Sequence, residues 1–412
     1  MKILIISAGR YPVPATKGGA VSTLVEHFVK DNEMEKLVDL EIVSPYEDNA
    51  VKKSINYKNT AFKYVKTPFI LKKAEILAYR IGSFFFSKKN LTQLRSVFSF
   101  LWFVFLNAVH LKKNTYDYVI VENTARLFLC FKLFGNKKKY ANKVIYHLHN
   151  EPKKLGGCRN EILDCKKIFC ISEFIKESIC TKGSPVSMDN RDKAIVLKNC
   201  IDVEAFSPLD KETITNIRDS YGFKENEKVI LFSGRIDAEK GIKQVLEAIK
   251  LIETQNAKLL IVGSSFYGMN VVNAFEKEVI RLAKELGDKV VFTGFLPYCD
   301  MPKAYNAADI VVLPSMWEEP AGLTILEAMS CEKPVITTIS GGIPEYTNDE
   351  CSILLERDSN IVGNIANSID YLFDNSSYAK EIARKARRHV INNYDAKQYL
   401  RKAKCYLEEG IK

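Results

Sequence analysis

The 412-residue sequence has no long hydrophobic run. Its most apolar stretch, VFSFLWFVFLNAV (Val97–Val109), is 13 residues long, whereas a membrane-spanning helix needs about 20. A transmembrane segment is therefore not expected. The N-terminal MKILII is too short and too soon interrupted for a signal peptide, and it reads as a first buried strand. There is no Cys-x-x-Cys pair, and the ten cysteines form no even framework. The closest together, Cys158, Cys165, Cys170 and Cys180, fall near His147 and His149 at spacings that match no familiar zinc-ligand set. Reduced thiols in a cytoplasmic protein are the expectation. Internal repeats and low-complexity tracts are also lacking, which excludes solenoids and linker proteins.

The sequence is 47% apolar and 27% charged, the balance of a folded globular protein. Its length predicts two domains of about 150–200 residues each. The net charge of +10 is uneven. Residues 1–205 carry 34 Lys and Arg against 20 Asp and Glu, residues 206–412 carry 26 against 30, and residues 49–115 carry 13 against one. Such a basic block points to an anionic partner on that side, or to a solvated lysine-rich surface.

Two stretches share one grammar of apolar strand, glycine-containing turn and amphipathic helix. The first runs from Lys2–Ser7 through Gly18-Gly19 into a helix over Ala20–Lys30, with further strands near Leu40–Ser44, Tyr118–Val121 and Val144–His147. The second starts at Lys228–Ser233 and continues with strands near Lys258–Val262, Val290–Thr293, Asp309–Leu313 and Pro334–Thr337. Helices near Lys243–Ile252, Val271–Leu286, Met301–Ala307 and Thr324–Met329 separate them. Apolar strands alternating with helices predict parallel sheets with right-handed crossovers. The expected fold class is α/β, with two Rossmann-like doubly wound domains. Their boundaries are expected at 1–205 and 206–385, with a terminal helix over 386–412 returning to the first domain. Open sheets of this kind bind ligands at the carboxyl ends of their strands, and two facing one another would make a cleft.

The candidate chemistry lies mostly in the second half. In PSMWEEPAGLTILEAMSCEKPVI (Pro314–Ile336), Glu319 and Glu327 flank a turn and the start of a helix. The amides of Ala321, Gly322, Leu323 and Thr324 would form a helix N-terminus suited to a phosphate or sugar oxygen. A carboxylate accepts two hydrogen bonds from a vicinal diol, so two glutamates suit two diols, one on a sugar and one on a ribose. In SGRIDAEKGI (Ser233–Ile242), Arg235 and Lys240 sit between a strand end and a helix start, where they can bracket a diphosphate. Gly18-Gly19 would let backbone close on a phosphate, or is only a turn.

Together these stretches resemble the family 4 glycosyltransferases, the retaining group of the GT-B fold, along the whole chain. The marks are KGGAVSTLVEHF (Lys17–Phe28), YHLHN (Tyr146–Asn150), CISEFIK (Cys170–Lys176), NCIDVEAFSP (Asn199–Pro208), SGRIDAEKGI, the two spaced glutamates and GGIPEY (Gly341–Tyr346). The resemblance implies that Glu319 binds hydroxyls of a donor sugar and Glu327 the ribose. It implies that Arg235 and Lys240 bind the diphosphate, with the amide at Gly19 closing on it, and that His149 sits beside the reacting sugar. It also implies a nucleoside-diphosphate sugar as donor and no cofactor or metal, in keeping with the lack of an Asp-x-Asp motif. Retention through front-side displacement is implied in the same way, no carboxylate nucleophile being evident. Three positions depart from the family's pattern. Ala321 stands where phenylalanine is usual, and Cys200 and Glu332 each replace a glycine.

A saccharide or lipid-linked acceptor in envelope or extracellular polysaccharide synthesis fits this reading, and no nucleic-acid partner is expected. The segment around residues 69–113, with Phe84-Phe85-Phe86 and many flanking cations, fits either a buried helix or one lying in an anionic membrane surface. The latter would put the protein on the inner face of the membrane. Two other readings stay open, a non-catalytic scaffold of the same fold and a two-domain sugar-nucleotide epimerase.

Overall fold

The computed structural model describes residues 1–85, 96–263 and 274–409. The chain divides into two compact units. The first comprises Met1–Ile171, Ile175–Leu197 and Gln398–Lys412, and the second Ser172–Phe174 and Lys198–Lys397.

The first unit is built on a seven-stranded parallel sheet: β1 (Lys2–Ile6), β2 (Asp39–Pro45), β3 (Thr60–Val65), β4 (Tyr118–Glu122), β5 (Val144–Leu148), β6 (Lys167–Cys170) and β7 (Ala194–Val196), in the order β3-β2-β1-β4-β5-β6-β7. The second holds a six-stranded sheet: β8 (Lys228–Ser233), β9 (Ala257–Val262), β10 (Val290–Gly294), β11 (Ile310–Leu313), β12 (Val335–Thr338) and β13 (Ile353–Leu355), in the order β10-β9-β8-β11-β12-β13. The strands expected from the apolar runs all form. Four others, Thr60–Val65, Lys167–Cys170, Ala194–Val196 and Ile353–Leu355, are short or mixed in polarity and gave no comparable signal in the sequence.

Central strands covered on both faces must be apolar throughout, and Ile3, Leu4, Ile5 and Ile6 have no exposed surface. In the second unit Ile230, Phe232, Leu259, Ile261, Val312 and Ile336 of the sheet form one core with Val245, Leu246 and Ile249 of the helix Ile242–Ile249. In each sheet the strand order reverses beside the first strand, between β1 and β4 and between β8 and β11. Loops leaving these neighbours part in opposite directions, which opens a crevice at their carboxyl ends.

Four helices bear on function. α1 (Ala20–Met34) follows the Gly18-Gly19 turn, and α2 (Phe69–Phe85) and α3 (Val97–Lys113) follow β3. α4 (Tyr399–Glu408) belongs to the first unit and packs on α1, where Asp31 accepts from the amides of Leu400 (2.8 Å) and Arg401 (3.2 Å). The preceding helix, Ser376–Tyr394, lies in the second unit.

The 69–113 segment is half buried. Phe103, Val104, Ala108 and Leu111 of α3 are buried, and buried Glu75 of α2 caps Ser99 through its amide (2.6 Å) and hydroxyl (2.8 Å). The outer faces leave Phe69, Ile70, Ile76, Leu77, Ile81, Leu101 and Phe105 exposed. Phe86 lies outside the described residues, as do positions 271–273 of the expected helix Val271–Leu286. Among the described residues no helix is long and apolar enough to cross a membrane.

Glu332 takes φ +56°, the left-handed conformation that a Cβ disfavours. Glu332→Gly should therefore raise unfolding stability by about 0.5–1 kcal/mol in urea titrations. An unchanged or lower midpoint would mean that the glutamate side chain offsets the strain.

Candidate functional site

The turn after β8 is shaped by backbone contact. Gly241 has φ +74°, and a Cβ there would sit 2.0 Å from the Pro314 carbonyl oxygen, so only glycine lets this turn lie against the end of β11. Asp237 begins a short helical turn, its Oδ1 accepting from the Lys240 amide at 3.2 Å. Arg235 projects from the same turn, with Nη1 2.9 Å from Asp237 Oδ2 and Nη2 3.4 Å from Glu239 Oε2.

Because β8 and β11 are neighbours, the loop after β11 meets this turn. Glu319 Oε2 accepts from Lys240 Nζ (2.6 Å), Trp317 Nε1 (2.8 Å) and the Ser315 hydroxyl (3.2 Å), whereas no protein donor to Oε1 is found among the described residues. The Lys240 ammonium also lies 5.9 Å from the centre of the Trp317 ring. The Gly342 amide donates to the Glu319 carbonyl at 2.7 Å and the Gly341 amide to Glu318 Oε2 at 2.6 Å, which ties the GGIPEY turn to this loop. Ala321 and Gly322 lead into the helix Leu323–Ser330, where no side chain caps the N-terminus. The first amides of a helix have no intrahelical acceptor, so Leu323 and Thr324 present a site for anionic oxygen.

Glu327, inside that helix, is buried. Its Oε2 accepts from the Tyr305 hydroxyl at 2.7 Å, Tyr305 in turn lies 2.9 Å from the Ser233 hydroxyl, and Tyr298 is a further partner. Burial pushes Glu327 up to about 7, against the opposing pull of the two tyrosine hydroxyls. The structure thus joins Lys240 to Glu319 directly and links Glu327 to the end of β8 through Tyr305. The tip of Arg235 is held by acids of its own turn.

In the first unit Gly18 and Gly19 take φ +70° and +104° immediately before α1, and a Cβ on Gly19 would press on the Tyr11 ring at 3.1 Å. His149 follows β5, is buried, and places Nε2 2.8 Å from Glu122 Oε2.

The cysteines at 158, 165, 170 and 180 form no cluster with histidine close enough for one ion. Among the described residues the single group that close is Glu122, His147 and His149, with ligand atoms within 4.8 Å of one another. Both Glu122 oxygens already meet a ring nitrogen, at 3.1 and 2.8 Å, so the geometry is that of a hydrogen-bonded triad.

Tyr305, Tyr298, Trp317, Ser315, Asp237 and Glu122 do not stand out in the sequence. Trp317 and Ser315 sit within the motif that does, whereas the tyrosines reach Glu327 only through folding, and no spacing rule connects them.

Two α/β units, each built on a parallel sheet, give the architecture of the GT-B fold. Residues 213–389 match the family model for glycosyl transferases group 1. It is similar to a putative glycosyltransferase, YtcC, of Bacillus subtilis, with 26% identity over 95% of this chain and 88% of that protein. It also resembles the lipopolysaccharide 1,2-N-acetylglucosaminetransferase of Salmonella typhimurium, with 32% identity over 56% of this chain and 57% of that one. Among solved structures, HepE of Anabaena in complex with UDP and glucose superposes with a TM-score of 0.73 at 18% identity, covering 100% of both chains. The chain is thus a glycosyltransferase.

A carboxyl group raised in the fold holds its proton more tightly there than in the unfolded chain. Its contribution to stability is therefore complete below the ordinary value of 4.5 and is lost as pH rises through about 7. The stability of the wild type relative to Glu327→Gln should accordingly fall between pH 4.5 and 7 in paired denaturant titrations. A difference that stays flat across this window would show that Glu327 is ionised throughout.

Proposed function

We propose that this chain moves a glycosyl group from a nucleoside-diphosphate sugar to a hydroxyl of a saccharide or lipid-linked acceptor. The reaction retains anomeric configuration, requires no metal, and serves envelope or extracellular polysaccharide or glycolipid synthesis. The observation that carries this reading is the convergence of Lys240, Trp317 and Ser315 on one oxygen of Glu319. It leaves the other oxygen to accept from sugar hydroxyls and keeps an ammonium beside them. The names of relatives that act on lipopolysaccharide, and of a fold neighbour holding UDP and glucose, support the same class of donor and product.

In this reading the sugar C1–O bond to the diphosphate breaks while the acceptor oxygen bonds to C1, and the acceptor's proton passes to the departing phosphate. Negative charge grows on the diphosphate, where Lys240, Arg235 and the amides of Gly322, Leu323 and Thr324 neutralise it. Arg235 exchanges its carboxylate partners for phosphate oxygens as the donor enters. Ionised Glu327 accepts from the ribose hydroxyls, and Ala321 borders the helix N-terminus that receives the phosphate. His149 accompanies the reacting sugar.

Nucleoside diphosphate release from a panel of UDP-, GDP-, ADP- and CMP-sugars, with acceptor extracts, tests the proposal. One donor class should turn over, and Lys240→Ala or Glu319→Gln should lower kcat/KM by about 10²–10³. Folded protein that turns over none of them, or binds nucleotide equally well as Arg235→Ala and Glu327→Ala, would favour a scaffold instead.

The exposed apolar residues of α2 and α3, with Lys66, Lys72, Lys73 and Lys112 nearby in the chain, suit an anionic bilayer surface that carries a lipid-linked acceptor. Co-sedimentation with vesicles containing phosphatidylglycerol should be strong at low salt and weaken toward about 0.5 M. Equal binding to neutral and anionic vesicles would remove the membrane from this account.

A further inference from the structure

At the carboxyl edge of the first sheet, three side chains that the sequence pattern did not connect form a closed hydrogen-bonding unit. Glu122 ends β4 and has no exposed surface. Its Oε1 lies 3.1 Å from His147 Nδ1, and its Oε2 lies 2.8 Å from His149 Nε2. His147, equally enclosed, has its other nitrogen 3.4 Å from the hydroxyl of Tyr399 on α4, and that ring stacks on Phe28 of α1 at 4.4 Å. The backbone is pinned as firmly. Asn123 takes φ +51° and directs three polar groups at β5 and the residue after it. Its amide donates to the His147 carbonyl (2.8 Å), its Oδ1 accepts from the His149 amide (3.2 Å), and its carbonyl accepts from the Tyr146 hydroxyl (2.8 Å). A non-glycine residue held left-handed costs about 1–3 kcal/mol and persists where its surroundings over-determine it.

We propose that Glu122 is a positioning residue for glycosyl transfer, fixing His149 as the tautomer protonated on Nε2 and leaving Nδ1 as a bare acceptor for a saccharide hydroxyl. An ionised carboxylate only accepts, so each ring must turn an N–H toward it. For His149 that places the proton on Nε2, and a neutral ring then has a lone pair on Nδ1. No protein partner to Nδ1 is found among the described residues, which leaves that atom for a ligand.

The charge state agrees with this geometry. Burial raises the Glu122 carboxyl, but the charge and hydrogen bonds of His147 and His149 outweigh it and hold the group down to about 2. Burial, with His147 alongside, pushes His149 down to about 4 despite the pull of Glu122. At neutral pH the acid is charged and His149 is neutral, so His149 accepts a hydrogen bond from substrate and does not act as a cation toward the diphosphate.

The contact between His149 and saccharide rests on the function proposed above, whereas the tautomer does not, so two measurements separate them. In full-length protein labelled with ¹⁵N-histidine, long-range ¹H–¹⁵N spectra of the five histidines should show His149 with a protonated Nε2 and a bare Nδ1 at neutral pH. A proton on Nδ1, or an imidazolium under the same conditions, overturns the proposal without any turnover assay. Glu122→Gln offers one acceptor and one donor, so one of the two rings must switch tautomer in the same spectra. In steady-state kinetics that variant should lose roughly 10- to 100-fold in kcat, the range for partners that orient a histidine, with donor KM unchanged. It should have no further effect in a His149→Ala background. Additive losses in the double variant would contradict a role exerted through His149. Absence of turnover in the wild type would count against the transferase reading, while the tautomer seen in the spectra would still stand or fall by itself.

Discussion

The site in the second unit depends on one ion pair, between Lys240 and Glu319. The ammonium arrives on the loop after β8 and the carboxylate on the loop after β11, and the two meet at 2.6 Å only because these strands are hydrogen-bonded neighbours, the residues being 79 positions apart in sequence. The pair is partly enclosed, with Trp317 and Ser315 on the same oxygen, so it keeps more of its strength than a surface salt bridge. It also fixes a cation beside a carboxylate whose other oxygen has no protein donor among the described residues. A sugar attached to a diphosphate presents the complementary spacing of hydroxyls and negative charge.

Glycine contacts and buried polar groups make that arrangement durable. Gly241 lets one loop rest on the carbonyl of Pro314, and Gly341 and Gly342 let another hydrogen-bond to the Glu318–Glu319 segment. Any side chain at Gly241 would force the β8 turn off the end of β11 and separate Lys240 from Glu319. The Ser233–Tyr305–Glu327 chain does a similar job one layer deeper, where a carboxyl group raised to about 7 is stabilised by hydroxyls rather than by a cation. Neutral donors suit a group whose partner in the proposed complex is a pair of ribose hydroxyls.

Much of this was legible in the sequence. The apolar runs at Lys2–Ser7, Lys228–Ser233 and Asp309–Leu313 marked the strands that flank both switch points, because strands buried on two faces cannot carry polar residues. Lys240, Glu319 and the Ala321–Thr324 turn could be named because they follow those strands directly. The strand Thr60–Val65 escaped because its pattern alternates weakly and it lies at the edge of the sheet. Glu122, Tyr298 and Tyr305 escaped for a different reason, since their partners lie 22 or more residues away and nothing local distinguishes a tyrosine bound for a carboxylate from one bound for the core. The basic-aromatic segment left burial and interfacial contact as alternatives, and each of its helices leaves apolar side chains exposed.

The carboxyl edge of the second sheet is the proposed seat of a nucleoside-diphosphate sugar. Backbone hydrogen exchange, followed by mass spectrometry with and without each of the UDP-, GDP-, ADP- and CMP-sugars at saturation, addresses this most directly. At least one donor should slow exchange in peptides spanning Ser233–Ile242 and Leu313–Leu326 together, because ligand oxygens would occupy those amides. Protection confined to other segments, or none with any donor, would contradict it.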